Sequence, residues 1–186
     1  MRDSPTDLDY ALMRRLARGE AAALEELIRR HERRLYQVAY RLLQDPQEAE
    51  DALQEVFLKA YEHAGRFQPT GSVGGWLARI TANHCLNRLR QRTSHDSLDD
   101  DDQGLQVPSG DATPLEALEE AHLARRLEEL LAALPENQRR ALVLKRFGDL
   151  SYQEIAEVMG VSAQAVDGLI KRARRFLRDQ LKDFFE

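Results

Sequence analysis

The sequence has few of the residues on which secreted, membrane and metal-binding proteins depend. It contains one cysteine, which excludes an internal disulfide, and 6% aromatic residues, few for a sandwich or barrel. No apolar run approaches the ~18 residues of a membrane span. The charged N-terminus does not match a signal peptide, and the scattered histidines do not match a metal site. These absences predict a cytoplasmic helical protein without metal or other cofactor.

Charge is distributed unevenly along the 186 residues. Residues 1–92 carry 15 basic and 13 acidic side chains, and residues 115–186 carry 12 basic and 13 acidic ones. Residues 93–114 carry six aspartates and no base. A polar, acidic stretch of this kind cannot bury enough apolar surface to fold alone. We therefore predict two domains, 1–92 and 115–186, joined by an acidic flexible linker at 93–114.

Apolar residues recur every three to four positions almost throughout, which is typical of amphipathic helices. Gly and Pro separate the segments, most clearly in a loop at 66–73. The predicted fold is all-α, with two small helical domains and a helix-turn-helix at the C-terminal end. The predicted helices cover 8–18, 20–43, 46–64, 74–91, 115–133, 136–146, 152–159 and 163–183.

The third predicted helix has an unusual outer face. On a helical wheel its alanine, leucine, valine and phenylalanine side chains gather on one side. A leucine projects from the acidic and amide residues of the opposite side, which indicates a partner protein with basic and apolar groups. A single exposed leucine can also have no function. The candidate contact residues are Asp51, Gln54, Glu55 and Leu58.

The fourth predicted helix lies in a segment that favours nucleic acid. Residues 63–95 contain five arginines and no acidic residue, a pattern expected of a surface that faces phosphates. Arginine and asparagine side chains share an arc of about 80° on this helix, and aromatic residues nearby can stack on an unpaired base. The tryptophan can equally anchor the core. The candidates are Phe67, Trp76, Arg79, Asn83, Asn87 and Arg90.

The C-terminal region contains a predicted helix-turn-helix. Ser151 and Glu154 form a capping-box pattern, Gly160 marks the turn, and Ser162 caps the second helix. The exposed side of that second helix carries Gln164, Gly168, Lys171 and Arg175, as expected of a recognition helix in a DNA major groove. A purely structural helical hairpin is the alternative.

These segments together resemble the small bacterial sigma factors of the extracytoplasmic-function (ECF) group. DPQEAEDALQEVFLKAYEHAGRF (45–67) is similar to the segment that binds core RNA polymerase. GWLARITANHCLNRLRQR (75–92) is similar to the segment that reads the −10 element. Residues 134–177 are similar to the domain that reads the −35 element.

The resemblance implies a set of partners and contacts. The third helix docks on the clamp of the largest polymerase subunit, and the 67–76 loop captures an extruded −10 base. The C-terminal domain reads the −35 duplex, and an anti-sigma factor is an expected partner. The candidate −35 contact residues on the second helix are Gln164, Asp167, Gly168, Lys171, Arg172 and Arg175.

The recognition helix departs from the family pattern S-x-x-T-V-K-S-R-L-x-R-A. A Thr, a Lys and an Arg of that pattern are replaced by Ala165, Asp167 and Leu169. The family's −35 contacts therefore cannot be transferred to these three positions. We expect Asp167 to lie near the DNA backbone and to repel phosphates.

The sequence thus predicts a promoter-specificity subunit rather than an enzyme. Two other interpretations remain open at this point. A helix-turn-helix regulator would bind duplex operators without polymerase, and an interaction protein would direct no transcription at all. Transcription with core polymerase separates the three.

Overall fold

The computed structural model describes residues 5–68, 71–95 and 114–185. The described ranges form eight α-helices and one 3₁₀ turn, Ala64–Arg66, without strands. The all-α prediction is confirmed. The helices are α1 Pro5–Leu16, α2 Ala21–Leu43, α3 Pro46–His63, α4 Val73–His95, α5 Pro114–Ala132, α6 Glu136–Arg146, α7 Tyr152–Met159 and α8 Ala163–Phe185.

The predicted helix boundaries differ most from the observed ones at α1 and at the end of α4. α1 begins three residues earlier than predicted, at Pro5, and ends at Leu16. A proline suits the first turn of a helix because its missing N–H has no partner there. α4 continues to His95 because neither Gly nor Pro interrupts residues 76–95. The predicted linker at 93–114 therefore overlaps α4 and α5 at its ends, and its residues 96–113 lie outside the described ranges.

In the N-terminal half, α2 is the central helix and contacts α1, α3 and α4. The apolar stripe of α2 faces inward, and the predicted inner face of α3 is buried as expected. At about 25 cal/mol per Å² of apolar surface, each buried leucine or valine contributes about 2 kcal/mol. The buried side chains include Leu27, Leu35, Val38 and Leu42 of α2, and Ala49, Leu53, Val56, Phe57 and Ala60 of α3.

Local capping fixes where the functional helices begin. The Asp45 carboxylate accepts a hydrogen bond from the Glu48 amide at 2.8 Å, and Pro46 occupies the first turn of α3. Ser151 and Glu154 form the predicted capping box of α7. A Ser, Asp or Asn cap contributes about 1 kcal/mol. These caps orient α3 and α7 relative to the loops before them.

The C-terminal half packs directly on the N-terminal half. α5 and α6 contact α2, and α7 contacts α4, while α8 packs on α6 and α7 within its own half. Buried residues of both halves form a continuous cluster. The structure is thus a closed arrangement in which α7 lies against the helix predicted to read the −10 element.

Candidate polymerase and promoter-DNA surfaces

The outer face of α3 presents the predicted polymerase-binding residues together. Gln54 and Glu55 are exposed, Asp51 is partly exposed, and Leu58 is 52% exposed. The Gln47 amide group donates to Asp51 at 3.4 Å, a long hydrogen bond that leaves this carboxylate available. This face is amide and acidic with an exposed leucine, as the sequence predicted.

Leu58 is not an isolated exposed leucine. It lies at the edge of a groove of about 880 Å³ between α2 and α3. Burial raises the pKa of the Tyr36 hydroxyl in this groove above its ordinary value, so the tyrosine stays neutral. Sequence analysis missed this groove because it treated the two helices separately. Its apolar lining includes Leu24, Ile28, Tyr36, Leu53 and Phe57.

The predicted reading face of α4 is formed, but it is not entirely open. Asn83, Asn87 and Arg90 are exposed, and Arg90 donates to the Asn87 side-chain oxygen at 3.2 Å. The Arg79 guanidinium pairs with Glu157 of α7 at 2.6 Å. One predicted DNA contact is therefore occupied by a carboxylate of the C-terminal half in this arrangement.

Two arginines of the acid-free segment do not join this face. Arg88 lies 3.6 Å from Glu48 of α3, and Arg92 pairs with the same carboxylate. These two side chains link α4 to α3, because both place a cation beside the Glu48 carboxylate. The prediction that the five arginines share a phosphate-facing surface is wrong for Arg88 and Arg92, because a carboxylate distant in sequence lies beside them.

The aromatic candidates meet at the start of α4. The Phe67 and Trp76 rings are 5.3 Å apart in an edge-to-face arrangement, and both are half-buried. The Ser72 hydroxyl accepts from the Gly75 amide at 3.0 Å and fixes the first turn of α4. Trp76 thus lies inside the helix rather than in the loop, and Pro69 and Thr70 lie outside the described residues.

The helix-turn-helix has the predicted local structure. Gly160 adopts φ +69°, a left-handed conformation that glycine accepts without steric cost, and the Ser162 hydroxyl accepts from the Ala165 amide at 3.1 Å. Val166, Ile170 and Ala173 are buried against α6 and α7. The opposite side of α8 is exposed and carries Gln164, Lys171, Arg172 and Arg175.

Asp167 makes a contact that the sequence analysis did not consider. Its carboxylate lies 2.7 Å from the Lys171 ammonium, one helical turn further along. The hydrogen bond and charge of Asp167 raise the pKa of Lys171. The i, i+4 spacing of an acid before a base was the available signal. The neighbouring residue, Gly168, leaves room for the Arg172 guanidinium, which would lie only 3.3 Å from a Cβ placed on Gly168.

Two arginines of α2 join the halves, and sequence analysis did not single them out. Arg34 donates to the Phe147 carbonyl at 3.0 Å and to the Gly148 carbonyl. The Arg41 guanidinium lies 4.0 Å from the Phe147 ring centroid and pairs with Glu128 of α5. Nothing in the sequence marks these partners, since they lie 87 or more positions away.

Other chemistry is limited in the described part of the chain. No group of three or more His, Cys, Asp or Glu side chains there could hold a metal ion. Burial raises the pKa of the Cys85 thiol to about 12, so it is not a reactive thiolate. None of the described helices is both long and apolar enough to cross a bilayer.

Comparisons with known proteins agree with this architecture. The sequence models of Sigma-70 region 2 and Sigma-70 region 4 match residues 27–95 and 124–177. The ECF RNA polymerase sigma factor SigM of Mycobacterium tuberculosis is 32% identical over 89% of this chain and 81% of its own. This chain belongs to the ECF sigma factors. Such a factor directs RNA polymerase to promoters at the start of transcription.

Two further relatives extend the comparison. The ECF RNA polymerase sigma factor SigE of Mycolicibacterium smegmatis is 37% identical over 89% of this chain, which spans 65% of that protein. A solved structure of CnrH in complex with the cytosolic domain of CnrY has a TM-score of 0.63 and 27% identity. The match covers 95% of this chain and 99% of the solved chain. The family prediction made from the sequence is confirmed.

Proposed function

We propose that this sigma factor binds its partners through three surfaces. The α3 face with Asp51, Gln54, Glu55 and Leu58 binds the clamp of core polymerase. The α4 face reads the melted −10 strand, and α8 reads the −35 duplex. Residues 1–92 and 115–186 act as the two DNA-reading domains, with 93–114 as their linker. The −10 residues are Phe67, Trp76, Arg79, Asn83, Asn87 and Arg90.

The observation that carries this proposal is the outer face of α3. Leu58 is half-exposed beside an apolar groove and is surrounded by amide and acidic side chains. An apolar groove with an exposed leucine at its edge is typical of a surface that a partner protein covers. Clamp surfaces with basic and apolar groups match it in charge and polarity. We infer that polymerase supplies the catalysis and that this chain acts in the cytoplasm as a non-enzymatic subunit.

The α8 surface supports duplex reading by charge and exposure. Lys171, Arg172 and Arg175 lie on the exposed side of a helix whose other side is buried. Basic side chains on one face of a recognition helix suit phosphates and guanine edges. Gln164 lies in the first turn of α8, at the N-terminal end where a recognition helix contacts bases. Asp167 and Gly168 complete this surface.

Reading of the −10 strand requires the two halves to move apart at one point. Arg79 contacts a phosphate only after its pair with Glu157 breaks, and both side chains are more than 40% exposed. An exposed pair of this kind contributes about 0–1 kcal/mol, so promoter DNA can displace it. We also expect a partner of the anti-sigma class, as the family resemblance implies, and the solved CnrH is itself in complex with another protein, the cytosolic domain of CnrY.

Run-off transcription with bacterial core polymerase on genomic fragments tests the function. The wild type should direct transcripts from defined start sites, and core polymerase alone should not. The double variant Leu58→Ala with Gln54→Ala should lose core binding while circular dichroism is unchanged, since both side chains face outward. Leu123→Ala removes another exposed leucine, from α5, and is the matched control.

Two results contradict the proposal. If the double variant competes for core polymerase as well as the wild type does, the docking surface is assigned wrongly. If the protein binds duplex sites tightly without polymerase and directs no transcript, it is a free-standing regulator.

A further inference from the structure

Helix α1 lies before the part of the chain that the region 2 family model matches, which begins at residue 27. It nevertheless makes specific polar contacts. The buried Asp9 carboxylate accepts from Arg30 at 2.7 Å and lies 3.0 Å from the His31 ring nitrogen. These contacts fix α1 against α2, so the next residue of α1, Tyr10, has a defined position.

Tyr10 contacts the segment proposed to capture an unpaired base. Its hydroxyl donates to the Gly71 carbonyl at 2.8 Å. Its ring lies 6.0 Å from the Phe67 ring, which in turn lies 5.3 Å from the Trp76 ring. The three aromatic side chains therefore form a row, with Tyr10 at the α1 end and Phe67 between its two neighbours.

The same helix acts indirectly on the start of α4. Gly74 is buried, and a Cβ placed there would lie 3.2 Å from the His31 ring and 3.1 Å from the Arg34 guanidinium. His31 is held by Asp9, the neighbour of Tyr10. α1 thus fixes the chain at Gly71 directly and at Gly74 through His31.

Two glycines in or next to this segment have open space around them. Among the described residues, nothing lies within 4 Å of a Cβ placed on Gly65 or Gly71. Glycine also loses more backbone freedom on ordering than any other residue. A binding site on a flexible segment is weak, because part of the binding free energy is used to order the segment. Another element that orders the segment beforehand removes this cost. The Tyr10 hydroxyl bond is one contact that orders it.

We propose that Tyr10 is a positioning residue for the −10 base, which it places by holding Phe67 and the Gly71 carbonyl in the geometry that captures an unpaired nucleobase. This inference rests on the proposed function of the α4 surface. It adds a helix outside the matched family region to the determinants of promoter reading. Tyr10 acts through the loop and need not touch DNA.

The test uses holoenzyme assembled from core polymerase and the full chain. A −10 single strand is first selected from a randomised oligonucleotide pool with wild-type holoenzyme. Affinity is then measured for that strand and for copies with one abasic position each. The variants are Tyr10→Phe, which removes only the hydroxyl, and Tyr152→Phe, which removes a hydroxyl from α7 as the matched control. Hydrogen exchange of the free protein reports the amides of residues 71–75.

The wild type should lose affinity when one particular position is abasic. Tyr10→Phe should bind the intact strand about 3- to 10-fold more weakly, the usual range for one lost hydrogen bond. It should bind the abasic strand as the wild type does. The amides of residues 71–75 should exchange faster in Tyr10→Phe, with an unchanged melting temperature and unchanged −35 duplex binding. Tyr152→Phe should match the wild type on both strands.

Three results overturn the inference. Tyr10→Phe with unaltered exchange at residues 71–75 shows that the hydroxyl does not order the loop. Equal weakening on intact and abasic strands shows that Tyr10 does not act through the captured base. Affinity equal to wild type on the intact strand shows that positioning is not needed. If wild-type holoenzyme binds no single strand, the proposed −10 surface is wrong, and the inference about Tyr10 is then wrong as well.

Discussion

The two proposed DNA-reading helices, α4 and α8, differ in how they carry charge and in how accessible they are. The α4 face has no acidic residue of its own, yet Arg79 on it is paired with Glu157 from the other half. The α8 face is exposed, yet its own Asp167 pairs with Lys171. On α4 a basic side chain is paired with an acid from another helix, whereas on α8 it is paired with an acid of the same helix. Moving the two halves apart would break the Arg79–Glu157 pair, whereas the Asp167–Lys171 pair does not depend on how the halves are arranged.

The largest expected effect comes from breaking one of the contacts that join the two halves. Arg41→Ala leaves the Glu128 carboxylate without its cation, and these side chains are only 8% and 18% exposed. Removing one partner of a largely buried pair costs about 3 kcal/mol. Urea denaturation of the full chain measures it. Arg29→Ala, which breaks an exposed pair with Glu26, should cost less than about 1 kcal/mol. Equal losses in the two variants would show that the pair does not join the halves.

The next effect separates the two reading surfaces. Trp76→Ala should weaken holoenzyme binding to a single −10 strand by about 1–3 kcal/mol, the usual contribution of one aromatic stack. Binding to −35 duplex should not change, because α8 is not altered. Since Trp76 is half-buried against Phe67, melting temperature must be measured in parallel. A loss of several kcal/mol in stability with unchanged strand affinity would make Trp76 a core residue only.

A smaller effect tests the internal pair of α8. Asp167→Asn frees the Lys171 ammonium and should strengthen binding to every duplex by about two- to fourfold at low salt. Lys171→Ala should weaken binding and lower the salt slope by about one unit. Salt titrations of duplex binding distinguish these outcomes. Asp179→Asn, which removes a paired acid further along the same helix, is the control. If Asp167→Asn relaxes preference at a single base pair instead, Asp167 reads a cytosine amino group.

The smallest effect concerns acid sensitivity of the N-terminal half. Burial, and then the Lys59 ammonium 3.1 Å away, lower the pKa of His84. The unfolded chain therefore binds a proton near pH 6.5 that the folded chain resists, so stability falls as pH drops from 7 toward 5. Lys59→Met should reduce this loss by about 0.5 kcal/mol, since His84 is only half-buried. Denaturation at pH 7.5 and 5.5 measures it. An identical pH dependence in variant and wild type contradicts this assignment.

Local sequence signals predicted what local physics decides. The capping box at Ser151 and the helix end at Gly160 were predicted correctly because their hydrogen bonds join residues three or four apart. The buried face of α3 followed from helical periodicity. The Asp167–Lys171 pair had the same kind of signal, an acid four residues before a base.

Contacts between distant segments could not be predicted in this way. The helices, their caps, the amphipathic faces and the family can be predicted from the sequence alone, because each depends on residues within one or two turns or on motif order. The contacts of Glu48 with Arg88 and Arg92, of Glu157 with Arg79 and of Tyr10 with Gly71 form only in the folded chain. These contacts depend on how helices pack, and the free energy of packing depends on shape and charge across the whole chain.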